Sequence, residues 1–215
     1  MLEFDLARNA LRYLINNYNI KEIYIPYYLC NVVRNTIFKE NCKPKFYHID
    51  DNFLPSIDFP KESFILYPNY FGICDNNVKK LVTQYPNIII DNAHSYYATP
   101  SGFASFTAGH KWENNLSSNL YIGNEEINIT IDFSRRKNFN QYHQIYSTSN
   151  LLKIDINEDS IPFCYPYLAS RDAEADNLAN SLKQQGKIIY RYWDALPTSY
   201  NEYTFYRRLV PIPLD

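Results

Sequence analysis

Cysteine is scarce and badly placed for metal work. The four present, Cys30, Cys42, Cys74 and Cys164, show no CxxC spacing and sit in or beside apolar stretches. Buried free thiols are therefore expected, not bridges or a zinc site. No metal site is expected at all. Basic runs are equally scarce. The longest, Arg135-Arg136-Lys137, reads as a solvated helix face, and with a net charge of −2 and a pI near 6.1 the chain has no electrostatic footprint for nucleic acid. No window approaches the uninterrupted apolar length of a membrane span. The start, MLEFDLARNALRYL, carries charges where a secretory leader has an apolar core. A cytoplasmic, reduced protein is expected. Internal repeats and low-complexity tracts are missing too.

What is abundant is aromatic surface. Tyr and Phe number 21 and 13 against a single Met, so large buried faces with polar tips are expected, and buried Tyr hydroxyls need partners. At 215 residues and 25.4 kDa the chain makes one compact domain, or one with a small second lobe.

Apolar residues Leu6, Ala10, Leu11, Leu14 and Ile15 recur at helical spacing and predict an amphipathic first helix. A strand follows at 22–26, ended by Pro26, then a helical face of Cys30, Val33, Ile37 and Phe38. Strands are predicted at 45–50 and 64–67 and a helix at 76–85 with Val78, Leu81 and Val82 inward. Asn87-Ile88-Ile89-Ile90-Asp91 is a continuous apolar run ending on a carboxylate, the pattern of a strand covered on both faces. This alternation implies an α/β layer with a mostly parallel sheet flanked by helices. Ligands of such sheets bind at the strands' carboxyl ends, where Pro26-Tyr27-Tyr28, Asn69-Tyr70-Phe71-Gly72 and Asp91-Asn92-Ala93-His94 all fall.

Beyond residue 100 the pattern changes. Short strands at 105–107 and 120–122 flank a polar loop at 110–119, and a helix at 134–143 opens a second lobe. There a strand is predicted at 161–168, a helix at 171–185 with Gly186 as its left-handed cap, and another strand at Ile188-Ile189-Tyr190. The division expected is a large α/β domain over 1–132 and a small α+β lobe over 133–215.

These residues resemble the DegT/DnrJ/EryC1/StrS sugar aminotransferases, pyridoxal-phosphate enzymes of fold type I. Ala7-Arg8-Asn9-Ala10-Leu11 resembles the start of the family's first helix, and Tyr24-Ile25-Pro26-Tyr27-Tyr28 its strand-proline-aromatic segment. Ile90-Asp91-Asn92-Ala93-His94 is similar to its Asp-x-Ala-(Gln/His) motif, the most specific match. Ser105-Phe106 followed by Lys111 resembles its Ser-Phe-and-lysine segment. Residues 162–168 and 209–213 resemble its C-terminal lobe.

The resemblance implies pyridoxal 5'-phosphate as cofactor, a nucleotide-linked keto-sugar and an amino donor (glutamate) as substrates, a place in sugar or polysaccharide biosynthesis, and a homodimer with sites at its two-fold interface. It assigns Asp91 to the ring nitrogen, which must stay protonated for the ring to act as an electron sink. Lys111 is the amine that links covalently to the cofactor and then carries a proton, and His94 lies near the phenolic oxygen. Arg8 and Asn9, at a helix N-terminus, and the hydroxyl of Ser105 are the phosphate candidates. Tyr28 is the candidate to cover the ring. Taken singly, each has a plainer reading: Asp91 as a turn former, His94 as a polar loop residue, Lys111 and Arg8 as surface cations, Tyr28 as packing.

The chain also departs from the family. Leu6-Ala7 stands where a small residue and glycine are usual, and Trp112-Glu113-Asn114-Asn115-Leu116 replaces a glycine-rich stretch. The link between the lobes and the whole chain are short for the family. Two alternatives therefore stay open: an inert relative that keeps the fold as a binding or partner module, or a protein in which His110 takes the lysine's place, as in the family's sugar dehydratases. In most of the family the spacing from the serine would fall on His110. Relatives similar across Asp91-Asn92-Ala93 carry one extra residue, which favours Lys111.

Overall fold

The computed structural model describes residues 1–125, 127, 133–194 and 196–214. The chain opens with a three-residue strand, β1 (Leu2–Phe4), and the amphipathic helix α1 (Ala7–Asn17). Next come β2 (Glu22–Pro26), α2 (Asn31–Lys39), β3 (Lys43–Tyr47), β4 (Ile65–Pro68), α3 (Asp75–Gln84), β5 (Ile88–Asn92), β6 (Ala104–Thr107) and β7 (Ser118–Ile122). One seven-stranded sheet holds all seven strands in the order β1-β7-β6-β5-β4-β2-β3. The ladders joining β3, β2, β4, β5 and β6 are parallel, and β7 and β1 are added antiparallel at one edge.

Side-chain alternation along these strands feeds two separate cores. Ile25, Leu66, Ile89 and Phe106 point toward α1 and α2, whose Leu11, Leu14, Val33 and Ile37 cover them. Ile65, Tyr67, Ile88 and Ile90 point to the other face. There they meet α3 and the second half of the chain, which is α4 (Ser134–Tyr146), β8 (Cys164–Leu168), α5 (Asp172–Gln184), α6 (Tyr203–Arg208) and β9 (Leu209–Pro213). Strands β8 and β9 form a separate antiparallel pair.

Several expectations need correction. No strand forms at Ile188–Tyr190. Ile188 and Tyr190 are 67% and 62% exposed, and β8 takes β9 as its partner instead. Phe38, expected inward, is 54% exposed, because the buried stripe of α2 runs through Val33, Thr36 and Ile37. Arg135 and Arg136 are not a solvated face. Arg135 donates to the Phe163 carbonyl at 3.0 Å and lies over the Trp112 ring, while Arg136 donates to the Asn157 and Ser160 carbonyls. The division expected after residue 132 falls outside the described residues.

Two other expectations hold, the left-handed cap at Gly186 and the free thiols. Gly186 has φ +85 directly after α5. All four cysteines are free; three are buried and Cys30 is half-buried. Burial pushes the Cys42 thiol up to about 11. Among the described residues no helix is long and apolar enough to cross a membrane, and no group of three or more potential metal ligands occurs.

Candidate active site

The carboxyl ends of β4, β5 and β6 meet the N-terminal turns of α1 and α2 around one cleft. Its cavity volume is about 130 Å³. Its wall includes Ala7 and Arg8 from α1, Cys30 and Val33 at the start of α2, Asn69, Asp91, Ala93, His94, Phe106, His110, Lys111 and Trp193.

Asp91 sits at the end of β5 and is 7% exposed. Its Oδ1 accepts the Ala93 N–H at 2.9 Å. Burial raises its pKa, even though Lys111 and the Ala93 bond pull the other way. The turn that Asp91 opens places His94 against Phe163, with ring centroids 4.5 Å apart and planes 2° from parallel. That close packing depends on Gly72, at φ +70, where a Cβ would stand 2.5 Å from the His94 carbonyl oxygen and 3.0 Å from the Phe163 nitrogen.

Lys111 ends a short 3-10 turn, Gly109–Lys111, and its Nζ lies 3.1 Å from His94 Nε2. Burial and the neighbouring Lys111 hold the imidazole well below its usual pKa. Its neutral form is thereby favoured, and in it Nε2 can accept from the amine. Burial also lowers the Lys111 pKa, with Asp91 pulling it partly back. The amine is thus tuned toward its unprotonated, nucleophilic form. His110 lines the same cleft from an exposed position, its pKa lowered by burial and by Lys111 and Arg8. Geometry separates the two neighbours: the lysine meets His94 and the histidine stands at the mouth.

Of the residues expected from sequence, Asp91, His94, Lys111 and Arg8 converge on the cleft. Three do not. The Asn9 side chain donates to Asp5 Oδ1 at 2.5 Å, and its backbone N–H is spent on the Leu6 carbonyl. Ser105 pairs in register with Ile90, whereas Phe106 pairs with Asp91. The pleat therefore points Ser105 to the opposite face of the sheet, where its buried Oγ has no hydrogen-bond partner. Tyr28 is fully buried, stacked at 5.8 Å on Tyr70 and edge-on to Trp193 at 4.5 Å.

Sequence reasoning missed three aromatic supports. Trp112 donates its indole N–H to the Ala93 carbonyl at 3.2 Å, Phe163 backs His94, and Trp193 lines the cleft. Phe163 lies in the 162–168 stretch that resembles the family's C-terminal lobe, but nothing local marks its role. Trp193 follows no motif.

No family model matches the chain, and no curated protein sequence matches it. Solved structures do. A chain from Streptococcus pneumoniae described as a sugar aminotransferase, solved in apo, PLP and PMP forms, superposes with a TM-score of 0.76 in the apo form. It is 12% identical, over 99% of this chain and 80% of that one. A DegT DnrJ EryC1 StrS aminotransferase from Brucella abortus gives 0.71 at 12% identity, over 99% and 80%. The 8-amino-7-oxononanoate synthase of Francisella tularensis gives 0.66 at 10% identity, over 100% and 76%. At these identities the likeness establishes the fold, that of the fold type I pyridoxal-phosphate enzymes, and this fold carries more than one chemistry.

Proposed function

We propose that this chain is a pyridoxal-phosphate-dependent aminotransferase of the DegT/DnrJ/EryC1/StrS type, transferring an amino group to a nucleotide-linked keto-sugar. The observation that carries the reading is the meeting of Lys111, His94 and Asp91 in one cleft at the carboxyl ends of parallel strands. The residues present fit the cofactor. Asp91 is a buried carboxylate suited to a protonated ring nitrogen, and Ala93 leaves room for a flat ring beside it. The first turns of α1 and α2, neither capped by a side-chain hydrogen bond, face the wall, with Arg8 adding positive charge at the phosphate end. When bound, the cofactor supplies an electron sink for negative charge at the substrate carbon. Lys111, its pKa lowered by burial, would hold the cofactor through its amine and move a proton at Nζ. His94, neutral and fixed by Phe163, orients that amine through Nε2.

Titration of pyridoxal phosphate into the purified protein tests this. Saturable micromolar binding with a visible absorbance band is expected, together with amino transfer from glutamate. A protein that takes up no cofactor at any concentration overturns the reading.

We also propose that the protein works in the cytoplasm as an isologous homodimer. The reading rests on the family resemblance, which implies sites at a two-fold interface. Light scattering at micromolar concentration is expected to give twice the 25.4 kDa chain mass. A species of 25.4 kDa alone refutes the dimer.

A further inference from the structure

Trp193 has a backbone conformation that bulky residues avoid. Its φ is +59, in the left-handed region, where a side chain with a Cβ is strained. Such strain persists only where surrounding structure holds it, and it collects at functional sites. Here the surroundings are specific. Arg191, two residues earlier, donates to the Arg207 carbonyl at 2.5 Å and to Asp176 at 2.9 Å. Leu196 N–H returns to the Asp194 carbonyl at 2.9 Å. The indole then packs edge-on to Tyr28 and Tyr70 and lies 7° from parallel with His94, centroids 5.8 Å apart.

A flat ligand in the cleft needs a flat wall. Phe106 is 1% exposed and belongs to the core under α1 and α2. His94 is 4% exposed and already stacked on Phe163. Tyr28 is fully buried behind Trp193. His110 stands exposed at the mouth, which leaves Trp193, among the described residues of the wall, as the half-buried aromatic with surface to offer. We infer that Trp193, from the irregular segment between α5 and α6, is the aromatic plate against which the cofactor's pyridine ring packs, the role that sequence assigned to Tyr28. This rests on the cofactor reading above. It makes the site composite, since Asp91 and Lys111 come from the main sheet and the ring's cover comes from the second half of the chain.

The test compares pyridoxal phosphate binding by wild type, Trp193→Phe and Trp193→Leu, read by titration and by circular dichroism of the bound cofactor. Aromatic packing of this kind predicts that the leucine variant binds about tenfold more weakly, with its cofactor dichroism reduced. The phenylalanine variant, which keeps a ring, is expected within about threefold of wild type. Equal binding by all three overturns the inference and leaves the cofactor reading intact. So does a phenylalanine variant as weak as the leucine one, which would mark a packing role only. Failure of the wild type to bind removes the cofactor reading and this inference together. A second readout needs no substitution: cofactor is expected to slow tryptic cleavage after Arg191 in the wild type, and an unchanged rate counts against the inference.

Discussion

Lys111→Ala protein is expected to form no borohydride-stable mass adduct with pyridoxal phosphate and to lose about a thousandfold or more of any transferase activity. His110→Ala protein is expected to keep the adduct. The two residues are adjacent in the chain, but the 3-10 turn at Gly109–Lys111 sends them different ways. Only the lysine reaches His94, at 3.1 Å, and only an amine forms an imine. An imidazole at the cleft mouth can at most move protons. Peptide mapping after reduction checks the site of the adduct. Modification spread over other lysines, or loss of the adduct in His110→Ala, would move the chemistry away from Lys111. The backbone of the turn is well pinned, since a Cβ on Gly109 would meet the Ser117 and Leu116 carbonyl oxygens at 2.2 and 2.4 Å.

Asp91→Asn is expected to act in opposite directions on the empty and the loaded protein. Burial lifts the Asp91 pKa above its ordinary 3.8 despite the pull of Lys111. Between the ordinary value and the raised one, the folded chain binds more protons than the unfolded chain. Stability therefore falls as pH rises through that window, and at neutral pH the ionised carboxylate is a net cost. Asparagine removes the charge and keeps an oxygen for the Ala93 N–H. The cofactor-free variant is therefore expected to melt higher than the wild type at pH 7. The gain should vanish at pH values acidic enough to protonate Asp91 in both states. With the cofactor the order reverses. The ring nitrogen loses its counter-charge, and affinity is expected to drop about a hundredfold, the scale of a broken buried ion pair. Thermal melts with and without pyridoxal phosphate decide both halves. A destabilised apo variant, or unaltered affinity, contradicts the assignment of Asp91.

The sheet was legible because its signals are local. Three isoleucines followed by Asp91 can be little other than a covered strand with its end at the site, and residues 6–15 carry a clear helical stripe. Asp91, His94 and Lys111 were legible through the family resemblance. What failed was whatever depends on which way a residue faces across distance. Ser105 lies beside Phe106 in sequence, but one step along a pleated strand turns it to the opposite core. Asn9 was judged by its place on α1, not by the claim of Asp5 on its amide. Ile188–Tyr190 has strand-like composition and no free ladder, since β8 is already paired with β9. Arg135 reads as a surface charge until Trp112 and Phe163, both distant in sequence, come to meet it. Trp193 carried no signal, because a left-handed backbone at a tryptophan is imposed by tertiary structure.

The core on the α3 side of the sheet has a bearing on cooperativity. One continuous cluster joins Tyr67, Phe71 and Ile90 from the main sheet region to Tyr165, Val210 and Ile212 from the β8–β9 pair. Strands separated by more than 100 positions along the chain thus share one apolar interior. Opening a hinge between the halves would expose that interior to water, at about 25 cal/mol for each Å² of apolar surface uncovered. The halves are therefore coupled into a single melting unit and not two that unfold in turn.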